Sequence, residues 1–235
     1  RPGVYVLWAP GEGGELPRAY IGKSDAVANR LDHHVRNKDF WTHAVLFTSK
    51  DQNLNTAHVG YLEHRLYDIA AKAKRCELVN EQTPQKPPLS EADVAYAEGF
   101  LEGMLLCLPL MGVSCFEVAK AVKRKGTRLF LNAKAIQAEG MELPEGFLVR
   151  AGSLAVGRET PSVPKYVSRL RETLVAKEVL LPEGERLRLA QDYFFTSPST
   201  ASGVMLGASS NGRDAWEDKN GRSLKELQED NLSAQ

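Results

Sequence analysis

The side chains best suited to chemistry gather near the start of the 235-residue sequence. Tyr5 and Tyr20 each stand beside a glycine in a short apolar run, Gly3-Val4-Tyr5 and Tyr20-Ile21-Gly22. Arg30 and His34 follow one helical turn apart, then His43, then Glu63. A phenol can pass a proton, a guanidinium grips an anion through a planar fork of donors, and an imidazole changes charge near neutral pH. Glu63 falls on the edge of an otherwise apolar helical stripe. A carboxylate there needs a base or a cation as its partner.

Those residues need elements to position them. Val4 to Trp8 and Arg18 to Ile21 are short apolar runs bounded by Gly and Pro, which predicts two strands. Val27, Leu31 and Val35 recur at helical spacing, with Arg30 and His34 on a neighbouring face. Phe40 to Thr48 is rich in aromatic and β-branched residues and predicts a third strand. Asn55 is a predicted N-cap for a helix with Val59, Leu62, Leu66, Ile69, Ala70 and Ala73 as its apolar stripe. Asn80 to Leu89 carries three prolines and predicts a linker or surface loop. Ser90-Glu91-Ala92-Asp93 then opens a helix that is expected to end near Leu108-Pro109.

This order of elements, with a tyrosine on each of the first two strands, Arg30 and His34 on the next helix and Glu63 on a later one, resembles the GIY-YIG nuclease family over Pro2 to Asn80. The resemblance implies a metal-dependent endonuclease that hydrolyses phosphodiester bonds in DNA. It implies that Glu63 is the single protein ligand of Mg²⁺ (or Mn²⁺), a hard ion that keeps several waters. Arg30 would hold the phosphate and stabilise the transition state. Tyr5 would be a general base or part of a relay, and Tyr20 would orient it. A free phenol titrates near ~10, so a base role needs positive charge nearby, from Arg30, metal-bound water or Lys23. His34 would shuttle a proton or donate to phosphate, and His43 matches a position where some members carry histidine. Gly22 and Lys23 support the site, and Asn80 matches the asparagine that ends the family's pattern.

Plainer readings stand beside these. The tyrosines can be strand-pairing core residues, Arg30 and Glu63 a structural ion pair, and Asn80 a turn residue. His33, His58 and His64 read as surface residues, and no H-E-x-x-H is present. The alternative function is a nucleic-acid-binding or protein-interaction module that uses the same fold without cleavage.

Further along, a strand is expected at Gly146 to Val149, a helix from Val163 to Lys177 and another strand before Phe194-Phe195. GFLVRAGSLAV (Gly146 to Val156) and FFTSPSTASGVMLGASSNGRDAWEDKNGRSLKEL (Phe194 to Leu227) resemble DUF4357, a small domain of unknown function found behind GIY-YIG domains. Gly203, Gly207, Gly212 and Gly221 suit tight turns. Ser197, Ser199 and Thr200 suit a helix cap or a phosphate, and Trp216 suits a core position or a stacked base. The basic run of Lys120, Lys123, Arg124, Lys125, Arg128 and Lys134 contains no acid and suits phosphate contacts, or simply a solvated face.

The expected fold is therefore a two-domain α/β (α+β) chain. A GIY-YIG fold with a small, mainly antiparallel sheet flanked by helices spans 1–89, a connecting helix and linker 90–115, and an α+β region 116–235. Thirty basic and thirty acidic residues balance to zero net charge, so no global field draws the chain to nucleic acid. That balance favours a small footprint, a homodimer or a protein partner; a monomeric single site would nick. No apolar run is long enough for a transmembrane span, so no membrane is expected. No signal peptide is legible, and a leader ahead of Arg1 stays open. The three cysteines lack C-x-x-C spacing and read as reduced core thiols in the cytoplasm.

Overall fold

The computed structural model describes residues 1–13, 15–50, 53–117, 126–133, 136–144 and 146–233. The chain is an α+β protein with small antiparallel sheets and forms two compact units. Unit 1 comprises Arg1–Glu12 and Leu16–Val118; unit 2 comprises Gly13–Glu15 and Ala119–Gln235.

Unit 1 contains strand β1 (Gly3–Ala9), β2 (Arg18–Ser24), helix α1 (Val27–Asn37), β3 (His43–Thr48), α2 (Thr56–Ala73), β4 (Glu77–Leu78) and α3 (Glu91–Leu110). The strands lie in the order β3-β1-β2-β4, antiparallel except for β4, which runs parallel to β2. Side chains alternate across this sheet because the strand repeat is two residues. Val4 and Val6 join a core with Leu62 and Leu66 of α2 and Leu101, Met104 and Leu108 of α3. Tyr5 and Leu7 point to the other face, where Val27 and Leu31 of α1 meet Phe40, Trp41 and Ala44.

Three expectations need correction. The helix read as part of a connector, α3, is a layer of the unit 1 core, with Ala97, Leu101, Met104 and Leu108 buried. The proline-rich stretch before it looks like a boundary, but the apolar stripe behind that stretch demands a partner, and α2 provides it. In α1, His34 is buried at 1% exposure while Val35 is 66% exposed. At 3.6 residues per turn, position i+7 returns to within about 20° of Val27, whereas i+8 has rotated about 80° past it. His58, read as a surface residue, is buried. It completes the N-terminus of α2: Asn55 Oδ1 accepts the His58 amide at 2.9 Å, and His58 Nε2 lies 3.0 Å from Asp93 Oδ1.

Unit 2 contains β5 (Leu129–Ala133), β6 (Ile136–Leu143), β7 (Gly146–Val149), β8 (Leu154–Val156), α4 (Lys165–Ala176), β9 (Leu180–Glu183), β10 (Arg186–Leu189), β11 (Tyr193–Phe195), α5 (Pro198–Leu206), α6 (Gly212–Ala215) and α7 (Leu224–Ser233). They build two antiparallel sheets, β11-β7-β6-β5 and β8-β10-β9. Trp216 is a core residue: it is fully buried, its ring centroid lies 4.7 Å from that of Phe147, and its Nε1 donates to the Pro198 carbonyl at 3.1 Å. Ser197 caps α5 by accepting the Thr200 amide, and Ser199 Oγ accepts the Gly212 amide. Gly212 has no room for a side chain, since an added Cβ would run into the Pro198 carbonyl.

Candidate active site

Register decides which groups can meet. Tyr5 on β1 stands opposite Gly22 on β2, and Leu7 stands opposite Tyr20, so both phenols occupy the face that α1 covers. The glycine of Tyr20-Ile21-Gly22 has a steric reason: a Cβ at Gly22 would collide with Cζ and Oη of Tyr5. The Tyr5 ring therefore lies over bare backbone, with its centroid 6.3 Å from that of Tyr20.

Helix α1 supplies the partners. His34 Nε2 lies 2.8 Å from Tyr5 Oη, and the imidazole packs against both rings, 5.5 Å from Tyr5 and 5.1 Å from Tyr20. Arg30, one turn earlier, lies close enough to both phenols for its charge to act on them. Which of Tyr5 Oη and His34 Nε2 donates follows the imidazole tautomer. The other ring nitrogen, His34 Nδ1, is buried and has no hydrogen-bond partner among the described residues.

Electrostatics favour neutral partners. Burial pushes the Tyr5 phenol up to about 12, which outweighs the help of Arg30. In the resting site burial outweighs Arg30, one of the positive charges on which a base role for Tyr5 would call. Burial, then the charges of Arg30, Lys38 and His33, lower His34 to about 4.

Glu63 reaches this region from α2, on the other side of the sheet. Its side chain is 16% exposed, and Lys23 Nζ of β2 lies 3.6 Å from its Oε2. Loss of water raises its pKa, and Lys23 opposes that rise. The plainer reading, an Arg30–Glu63 ion pair between α1 and α2, gives way to this strand-to-helix pair. Gly60 makes room for it, since an added Cβ would lie 3.0 Å from Lys23 Nζ. Glu63 is close enough to Tyr5 to oppose ionisation of the phenol.

Asn80 holds the edge of β2 in place of a strand. The Val79 amide donates to the Ala19 carbonyl, after which the Asn80 amide takes over: Oδ1 accepts from the Ile21 amide at 3.0 Å and Nδ2 donates to the Ile21 carbonyl at 2.7 Å. It fixes the strand that carries Tyr20 and Gly22.

The structure does not bring His43 to this group. His43 pairs with Trp8 across β3 and β1, on the face opposite Tyr5, and its ring tilts against Trp8 at 5.9 Å. Lys38 is the residue that sequence reasoning missed. Its ammonium lies 4.7 Å from the Tyr20 ring centroid, a cation–π contact at the site. The signal was legible, because Arg30, His34 and Lys38 recur every fourth residue.

Of the basic run, Lys120, Lys123, Arg124, Lys125 and Lys134 lie outside the described residues. Arg128 is exposed and 3.6 Å from Glu139. Among the described residues no cluster of three or more His, Cys, Asp or Glu could hold a metal. Among the same residues, no helix is long and apolar enough to cross a membrane.

Comparison with known proteins gives one family match. No curated protein and no solved structure matches the chain. The model of the family described as Domain of unknown function (DUF4357) matches residues 129–228, from β5 into α7. A DUF4357 domain is thus found in unit 2.

Proposed function

We propose that unit 1 is a metal-dependent endonuclease domain of the GIY-YIG kind, acting on phosphodiester bonds in DNA. The observation that carries this reading is the convergence of Tyr5, Tyr20, Arg30 and His34 on one sheet face, with the Glu63 carboxylate alongside. Arg30 grips the non-bridging oxygens of the phosphate with a charge that burial cannot remove. Tyr5 relays a proton: as water attacks phosphorus, its proton passes to Tyr5 Oη while the phenol's own proton moves to His34 Nε2. The new P–O bond forms as the bond to the leaving oxygen breaks, and that oxygen takes a proton from solvent. Tyr20 and Lys38 hold the rings and the local positive field in place.

Glu63 suits a hard divalent cation. It is a largely desolvated carboxylate whose one close cation among the described residues, Lys23, stands 3.6 Å away, so its charge is incompletely balanced. Mg²⁺ or Mn²⁺ bound there would neutralise charge on the phosphate and at the leaving oxygen.

A second reading is favoured by one observation. Tyr5 near 12 and His34 near 4 both hold their resting states firmly, which suits a surface that binds nucleic acid without cutting it. Supercoiled plasmid incubated in Mg²⁺, Mn²⁺ or EDTA separates the two. Nicking that needs the metal supports the nuclease. Salt-sensitive binding with an intact plasmid supports the binding module.

A further inference from the structure

Two buried nucleophiles have no part in the chemistry proposed for unit 1. All three cysteines are free thiols, and Cys107, expected in the core, is instead exposed. Cys76 and Cys115 are 2% and 0% exposed. Both belong to the core on the face of the sheet opposite Tyr5.

They arrive there from two different helix ends. Lys74 ends α2 in a left-handed conformation, and Cys76 follows just before β4. Gly112, also left-handed, lies just past the end of α3. The Val113 amide then donates to the Leu108 carbonyl, and Val113, Cys115 and Phe116 turn back into the core. The two segments are clamped together on either side of the thiols, because Arg75 Nη1 pairs with Glu117 Oε2 and both side chains are largely buried. Cys76 is also the largest influence on the Cys115 thiol. Its nearness, then burial, holds that thiol above the usual range, while the charge of Arg75 opposes the rise.

We infer that Cys76 and Cys115 form an oxidation site, at which hydrogen peroxide joins them in a reversible disulfide between the end of α2 and the segment behind α3. Peroxide is a small uncharged oxidant that enters when that segment opens locally. One thiolate attacks a peroxide oxygen and the O–O bond breaks, leaving a sulfenic acid and a hydroxide. The second thiolate attacks the sulfenic sulfur, the S–S bond forms and the S–O bond breaks, expelling a second hydroxide. The two thiols lose two electrons, the peroxide gains them, and the two thiol protons turn both hydroxides into water. The bond closes a loop that holds β4, Asn80 and α3, and so fastens α3 to α2. A buried thiol kept protonated is a slow nucleophile, so the pair reacts after exposed Cys107. None of this depends on cleavage of nucleic acid.

The test treats the reduced full chain with hydrogen peroxide in EDTA, unfolds it in N-ethylmaleimide and maps the cysteine peptides by mass spectrometry. Cys107 should be consumed first. Cys76 and Cys115 should then lose alkylation together and appear as one linked peptide pair, two hydrogens lighter than the separate thiols and restored by dithiothreitol. Cys107→Ser should form the same link. Cys115→Ala, checked for folding by circular dichroism, should lose it and leave Cys76 as a sulfenic or higher acid. In the linked protein, amide exchange at Leu101, Met104 and Leu108 should slow about tenfold. Full alkylation of Cys76 and Cys115 after Cys107 is spent would overturn the inference. So would links of either one to Cys107 alone, or sulfinic acid on either in the wild type with no link between them. Unchanged exchange across α3 in the linked protein would overturn the fastening role.

Discussion

Arg171 in unit 2 and His34 in unit 1 are both buried ionisable residues, 3% and 1% exposed, and their surroundings treat them in opposite ways. Arg171 is fully met: its guanidinium donates to the carbonyls of Val204 and Val156 and pairs with Glu159. The buried carboxylate of Asp218 is likewise met, by the amides of Asn220 and Arg222 and by the Arg222 side chain. His34 keeps one ring nitrogen without a partner, and the buried indole nitrogens of Trp8 and Trp41 share that condition. Among the described residues, every such orphaned side-chain atom lies in unit 1. Buried polar groups are normally satisfied, so an exception asks for an explanation. In unit 2 the buried polar groups hold elements together; in unit 1 the proposed function would have His34 free to take a proton.

The comparison can be broken at either end. Arg171→Ala should destabilise unit 2 by ~3–5 kcal/mol in urea unfolding, because Glu159 and two carbonyls lose their partner together. A cost within that of an ordinary surface change would show that the buried arginine is not structural. His34 should make stability pH-dependent. Its folded pKa, about 4, lies below the unfolded value of 6.5, so the stability is complete above 6.5 and falls as pH drops through about 4. The loss is at most about 3 kcal/mol, and His34→Gln should flatten that part of the curve. Gly22→Ala should displace the Tyr5 ring and cost ~1–3 kcal/mol by overpacking, with cleavage lost beyond what the stability change explains. His43→Ala, on the wrong face of the sheet, should change cleavage less than about twofold. A large loss there would mean that the site extends around β3.

Much of unit 1 was legible because its signals are local. The strand periods, the Asn55 cap and the α2 stripe each follow from residues a few positions apart. The position of Asn80 was legible only through family resemblance; its task, extending the sheet edge by a side-chain amide, depends on β4 pairing with β2. His34 against Val35 turned on the angle per residue, and α3 on a core contact that spacing alone does not reveal. The state of Tyr5 was the least legible feature. The charge of Arg30 can be read from sequence, but the depth of burial that outweighs it belongs to the packed fold. In unit 2, Trp216 and the α5 cap came out as the sequence allowed.

The most direct test of the account is single-turnover nicking of supercoiled DNA in Mg²⁺ by the wild type, Glu63→Ala and Tyr5→Phe, each checked for folding. The account expects metal-dependent nicking by the wild type and a loss of at least about a hundredfold in both variants, in keeping with removal of a proton-transfer group or of the metal's carboxylate. Equal rates in all three folded proteins would contradict it.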